Sequence, residues 1–99
     1  MAAVIVRHKV RDYDTWFPLF TEHGDVRRKY GALAHQVYRS SEDPNDLTII
    51  TTFKDLAGAR GFAADPSLPT VMERAGVISA PQIDFCEQAD VAEYSVPVA

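Results

Sequence analysis

Leu33-Ala34-His35-Gln36-Val37-Tyr38-Arg39 and Leu47-Thr48-Ile49-Ile50-Thr51-Thr52-Phe53, joined by Ser40-Ser41-Glu42-Asp43-Pro44-Asn45-Asp46, decide the fold of this chain. β-Branched and aromatic residues dominate both runs, and the Asp-Pro-Asn-Asp segment between them supplies a fixed φ and residues that tolerate a reversal of direction. The stretch is a hairpin with a longish loop. Period-two alternation sorts its side chains onto two faces, with Leu33, His35, Val37, Ile49, Thr51 and Phe53 on one. Ala34, Gln36, Tyr38, Thr48, Ile50 and Thr52 fall on the other. A slip of one residue, as a bulge causes, would exchange the two sets and remove His35 from its face.

Upstream, Ala3 to Val10 also alternates, placing Val4, Val6, His8 and Val10 on a drier side. Asp12 suits a helix N-cap, and Tyr13, Trp16, Phe17 and Phe20 then follow helical spacing. The same stripe continues through His23 and Arg27. Pro18 interrupts this helix, which predicts a kink or a late start, with an end near Tyr30 and Gly31 as its stop. Downstream, Asp55 caps a helix that buries Leu56, Ala59, Phe62 and Ala63. Gly58 and Gly61 in it allow a close approach to the sheet. Asp65-Pro66 opens a short helix carrying Leu68, Val71 and Met72, with Gly76 as its stop. Gln82 to Glu87 is the last strand, with Ile83 and Phe85 on one face.

The order β-α-β-β-α-α-β is the ferredoxin-like α+β arrangement, a four-stranded antiparallel sheet with its helices on one side. Connection rules put the first and third strands in the centre. Residues 1–88 make one domain, and residues 89–99, with Val91, Tyr94, Val96 and Val98, form a tail or dimer arm. The face without helices carries Ile5, Arg7, Ala34, Gln36, Tyr38, Thr48, Ile50, Thr52 and Asp84. A second copy of the chain is its simplest cover, so a homodimer through the open sheet face is expected.

The chain has 99 residues, a net charge of −4 and a single cysteine, Cys86. The charge and the absence of any long Lys/Arg run argue against nucleic-acid or membrane-surface partners. One cysteine and an N-terminus without a signal-like pattern indicate a cytoplasmic location. No run reaches the ~18 apolar residues of a membrane span. Nothing resembles a phosphate loop, a nucleophile elbow or a Cys-X-X-Cys motif.

Val6-Arg7-His8-Lys9-Val10-Arg11-Asp12-Tyr13-Asp14-Thr15-Trp16, then Glu22-His23, Arg27-Arg28 and Gly31, then Asp43-Pro44-Asn45 and Phe53, resemble the dimeric α+β barrel superfamily. So do Ala63-Ala64-Asp65-Pro66-Ser67-Leu68 and Ala75-Gly76-Val77. Within it the likeness is to the antibiotic-biosynthesis-monooxygenase-like or cyclase-like small proteins, and it extends to about Glu87. The resemblance implies a dimer, a pocket between helices and sheet, and oxidation of a polyphenolic compound by oxygen without flavin, haem or metal. The superfamily also holds haem-degrading enzymes, muconolactone-type isomerases, polyketide cyclases and stress-responsive proteins.

An apolar, aromatic-lined space with a few convergent polar groups is the usual make-up of a small-molecule site, and the inward face predicts one. His8 and His35 are the candidate bases, because imidazole titrates near working pH and can take a proton from a phenol or a carbon acid. Each is otherwise a core histidine satisfied by a backbone carbonyl or water. Arg27, a guanidinium on an apolar stripe, needs an anion, a carbonyl or solvent, and is the candidate anion stabiliser. Trp16, Phe20, His23, Thr51, Phe53 and Phe62 are the candidate substrate contacts, the aromatic ones alternatively plain core. Tyr38 is a secondary donor. No metal site is expected, since the histidines lack ligand spacing, and the resemblance implies no cofactor. The histidine-bearing apolar face together with the resemblance implies a small dimeric enzyme, a cofactor-independent monooxygenase or a cyclase or isomerase, acting on an aromatic or polyketide-type molecule. The competing reading is a non-catalytic dimeric ligand-binding or stress-associated protein. A histidine-bearing cavity of ~300 Å³ or more favours the enzyme.

Overall fold

A computed structural model describes residues 1–97. In chain order the elements are β1 (Ala2–Lys9), α1 (Tyr13–Glu22), α2 (Gly24–Lys29), β2 (Ala32–Arg39), β3 (Asp46–Phe53), α3 (Leu56–Ala63), α4 (Ser67–Arg74) and β4 (Gln82–Glu87). They build one sheet of order β2-β3-β1-β4, antiparallel throughout, so β1 and β3 are central as the connection rules require. The fold is the ferredoxin-like α+β arrangement.

Strand alternation sets the faces. On β1, Ala2, Val4, Val6 and His8 are buried in turn, and across the strands Val6 meets Ile49 and Ile83. On β2, Ala32 pairs with Phe53 and Ala34 with Thr52, so Leu33 is the extra residue of a bulge and lies 51% exposed. The expectation that Leu33 points inward is thereby corrected, and Ala32 occupies that place. Because the bulge closes before His35, the pairs His35 with Thr51 and Val37 with Ile49 keep the inward phase. Tyr38 pairs with Thr48 on the opposite face and is 55% exposed, which removes it from the candidate donors.

Asp12 caps α1, its Oδ2 accepting from the Thr15 amide at 3.0 Å. The helix then passes through Pro18, which is exposed, so water can meet the carbonyl that the missing N–H leaves. The interruption expected at Pro18 falls instead at His23, between α1 and α2. There Arg27 Nη2 donates to the Phe20 carbonyl at 2.8 Å and takes over one of the carbonyls freed at the end of α1. Gly31 at φ 91° and Gly76 at φ 83° follow α2 and α4 in the left-handed conformation that ends helices.

Gly58 and Gly61 admit a neighbour other than the sheet. A Cβ on Gly58 would lie 2.2 Å from the Tyr30 carbonyl oxygen, and one on Gly61 would lie 2.9 Å from the Tyr30 ring. What they allow is close packing of α3 on the end of α2.

Two hydrophobic clusters fill the space between helices and sheet. One gathers Ala2, Val4, Val6, Phe53, Ala59, Phe62 and Leu68; the other gathers Val10, Trp16, Leu47, Ile49 and Ala75. Phe53, Leu47, Val4 and Val10 are buried essentially completely. Each such side chain contributes about 1.5–3 kcal/mol by leaving water. His8, His23, Arg27 and Thr51 are the buried polar residues.

No helix covers the other sheet face, where Ile5, Thr48, Ile50 and Thr52 are half-buried and Ala34, Gln36 and Tyr38 are exposed. Residues 89–97 have no regular secondary structure, and Val91, Tyr94 and Val96 are exposed; Val98 lies outside the described residues. Among the described residues no helix is long and apolar enough to cross a membrane.

Candidate functional site

A cavity of about 50 Å³ lies at the seam of the two clusters, lined by Val6, Phe62 and Leu68 from one and Trp16, Ile49 and Ala75 from the other. His8, Phe20, His23, Arg27, Thr51, Val71 and Met72 complete its wall. A groove of about 270 Å³ runs beside it, bordered by Thr21, Gly24, Arg28 and residues 32–35 of β2. Arg27 and Thr51 line both spaces. Alternation of β1 and β3 delivers His8 and Thr51 to the inner face, while helical spacing delivers Trp16 and Phe20 from α1 above it. The Trp16 and Phe20 rings stack at 4.7 Å.

His8 is 5% exposed and meets the edge of Trp16 at 6.1 Å. Its Nδ1 is buried without a hydrogen-bond partner among the described residues. Burial holds its pKa below the ordinary histidine value, against the opposing pull of its own backbone carbonyl and of Asp46. That carbonyl acts as an electrostatic neighbour, not as a hydrogen-bond partner of acceptable geometry.

Arg27 is 5% exposed and stacks over Phe20, its guanidinium carbon 3.8 Å from the ring centroid. Its one hydrogen bond to protein goes to the Phe20 carbonyl. Among the described residues it makes no salt bridge, the neighbouring pair being Arg28 with Asp25. Burial and then the adjacent Arg28 charge press its pKa down to about 10. The protein thus holds a desolvated cation with no anion beside it.

His23 Nε2 lies 2.8 Å from Ser67 Oγ, which donates to Asp65 Oδ1 at 2.6 Å; Tyr30 donates its hydroxyl to Asp65 Oδ2 at 2.6 Å. The hydrogen bonds from Ser67 and Tyr30 hold the Asp65 carboxyl down at about 2, so it can only accept. Ser67 therefore spends its proton on Asp65 and offers His23 a lone pair. Nε2 carries the His23 proton, and Nδ1 is the free acceptor of the neutral ring. Burial, then Arg27, lowers the pKa of His23; partial burial, then Arg27, does the same for His35.

Seven of the candidate residues, His8, Arg27, Trp16, Phe20, His23, Thr51 and Phe62, meet around one cavity. His35 does not line it: on edge strand β2 it meets the edge of Phe20 at 5.0 Å and borders the groove. Phe53 lines neither space: it is wholly buried and packs on Phe62 at 5.6 Å, in the core and apart from the other candidate substrate contacts. Sequence reading missed the Tyr30–Asp65–Ser67–His23 chain. Asp65-Pro66-Ser67 signals only a helix start, and its partners lie 35 and 44 residues away. No group of three or more His, Cys, Asp or Glu that could hold a metal ion occurs among the described residues.

An antiparallel β2-β3-β1-β4 sheet, with helices over one face and a histidine- and arginine-lined cavity beneath them, defines the class as a ferredoxin-like α+β domain. Its fold is similar to that of solved antibiotic biosynthesis monooxygenases. An antibiotic biosynthesis monooxygenase structure superposes with a TM-score of 0.68 at 18% identity, covering 91% of this chain and 100% of that one. SnoaB, a cofactor-independent oxygenase from Streptomyces nogalater, superposes with a TM-score of 0.72 at 14% identity, over 91% of this chain and 94% of that one. A protein of unknown function from Nitrosomonas europaea does so at 0.70 and 16% identity, over 95% and 94%. At these identities the shared property is the fold. No protein-family model matches the sequence, and no curated protein matches it.

Proposed function

We propose that this protein is a small dimeric oxygenase that acts on an aromatic compound without an organic cofactor. The observation that carries the reading is one aromatic-walled cavity lined by His8, whose buried Nδ1 has no hydrogen-bond partner among the described residues, and by Arg27, a buried cation with no anion beside it among the same residues. A neutral imidazole with a free nitrogen accepts the proton of an acidic phenol, and the guanidinium holds the oxyanion that results. Trp16 and Phe20 are the platform for the ring, and His35 is the alternative base at the groove. With dioxygen as co-substrate, one oxygen atom becomes the new carbonyl of a quinone. The other leaves as water with the phenolic and ring hydrogens, so the step needs no external reductant. Cyclisation or isomerisation of the same anion would begin with the same proton transfer.

The test is oxygen uptake by the protein on a panel of phenols and hydroquinones first selected by thermal shift. Uptake with a hit is expected to disappear in the His8→Ala, His35→Ala double variant; full turnover by that variant would sink the assignment. A second reading, a non-catalytic dimeric binder, draws on the cavity itself, which at about 50 Å³ is far below an enzyme pocket until the groove is added. Ligand-induced stabilisation with no product from any hit would establish it.

Dimerisation is part of the proposal, with the half-apolar face around Ile5, Ile50 and Tyr38 as the contact. Light scattering at micromolar concentration is expected to give twice the chain's 11.0 kDa. A mass of one chain would refute it.

A further inference from the structure

We infer that the site is built for a single-ring aromatic carboxylate, whose acid group meets Arg27 where the cavity and the groove join. This rests on the cavity being the ligand site and deepens the reading above by naming the class of ligand. A guanidinium 5% exposed has lost most of its hydration, yet the only ionised group acting strongly on it is another cation, Arg28. The two guanidinia crowd the same spot: a Cβ on Gly24 would lie 3.3 Å from Arg28 Nη1 and 3.4 Å from Arg27 Nη2. Asp25 engages Arg28 on the exposed side and leaves Arg27 unpaired. A transient oxyanion would relieve that imbalance for the moment of reaction only. A ligand that brings a permanent negative charge relieves it throughout, and the planar fork of guanidinium matches the two oxygens of a carboxylate.

The rest of the junction suits such a group. Of the five N–H donors of a guanidinium, the Phe20 carbonyl takes one. Thr51 brings a hydroxyl to both spaces, and His35 borders the groove. Burial and Arg27 lower the pKa of His23, and partial desolvation and Arg27 lower that of the exposed His35, so neither tends to add a competing charge. Size sets the other half of the specificity. A cavity of roughly 150 Å³ holds benzene. The groove, at about 270 Å³, takes one substituted ring, whereas the cavity, at about 50 Å³, takes only a substituent.

The experiment compares para-hydroxybenzoate with its neutral isostere para-hydroxybenzamide on the whole chain by calorimetry. Emission of Trp16 is a second readout, since it is the only tryptophan and lines the cavity. The carboxylate is expected to bind tighter by about tenfold or more, as a charge-assisted pair in a dry site should. Arg27→Met should erase that preference while keeping the weak amide binding, and Arg27→Lys should keep part of it. Equal or tighter binding of the amide by the wild-type chain would overturn the inference without recourse to any variant. So would an undiminished preference in a folded Arg27→Met protein, or an equal response to inorganic phosphate. Carboxylate binding with no oxygen uptake from any phenol would leave this inference standing and remove the oxygenase reading. Turnover of neutral phenols with no carboxylate preference would do the reverse.

Discussion

Replacing His8 by phenylalanine should make the protein more stable and inactive, and the size of the gain follows from the site. A buried polar atom without a hydrogen bond costs about 1–3 kcal/mol, and His8 Nδ1 is such an atom. Phenylalanine keeps a ring against the edge of Trp16, and its slightly larger volume can use the adjoining cavity of about 50 Å³. After some repacking strain, a net gain of about 1–2 kcal/mol at pH 7 is expected, roughly 5–10 °C in Tm for a domain of this size. The pH dependence should change as well. The folded pKa of His8 lies below the ordinary histidine value of 6.5, so above that pH neither state gains a proton and the stability difference is flat. As the pH falls below 6.5, the unfolded chain binds the proton first. Wild-type stability then drops by at most about 1.4 kcal/mol per pH unit from this group, until the folded pKa is passed. The variant lacks that component, while His23 and His35 titrate in both proteins and cancel in the difference. Urea denaturation at several pH values between neutral and mildly acid measures both effects. A loss of stability at pH 7, or a pH slope equal to that of the wild type, would refute the unpaired state of His8.

Gly58→Ala should destabilise although alanine is the better helix former by about 1 kcal/mol. The new Cβ would sit 2.2 Å from the Tyr30 carbonyl oxygen, and backbone must move; a net loss of about 1–3 kcal/mol in chemical denaturation is expected, against a gain if α3 stood free. Asp65→Asn should lower Tm by weakening the start of α4 and the Tyr30 contact. The folded pKa of Asp65 is depressed from 3.8 to about 2, so its contribution is complete above 3.8 and fades as pH falls toward 2. That part of the acid unfolding curve should flatten in the variant, and an unchanged curve would show that Asp65 is not held by its partners.

The fold was legible because its signals are local. Period two in Val4, Val6 and His8 and in Leu47, Ile49 and Thr51, helical spacing in Trp16 and Phe20, and Gly31 and Gly76 as stops all act within a few residues. The misplacements share one cause. Leu33 left the core because a bulge is a property of two strands at once. The helix broke at His23 and not at Pro18, where Arg27 reaches back to the Phe20 carbonyl and Pro18 faces water. Gly58 and Gly61 are needed by Tyr30, which is remote in sequence.

The sequence by itself determined the phases of β1 and β3, the helix starts after Asp12 and Asp55, the stops at Gly31 and Gly76, and the inward set that carries His8, Thr51, Trp16 and Arg27, since these depend on backbone geometry and residue type. Only the tertiary structure decided which of them meet. The seam between two hydrophobic clusters gathers His8, His23 and Arg27 around one small cavity, leaves Phe53 in the core, and turns His35 to a neighbouring groove. Pairing across strands and packing of α1, α2 and α4 on the sheet fix those distances. Whether a buried imidazole or guanidinium finds a partner there depends on residues far away along the chain.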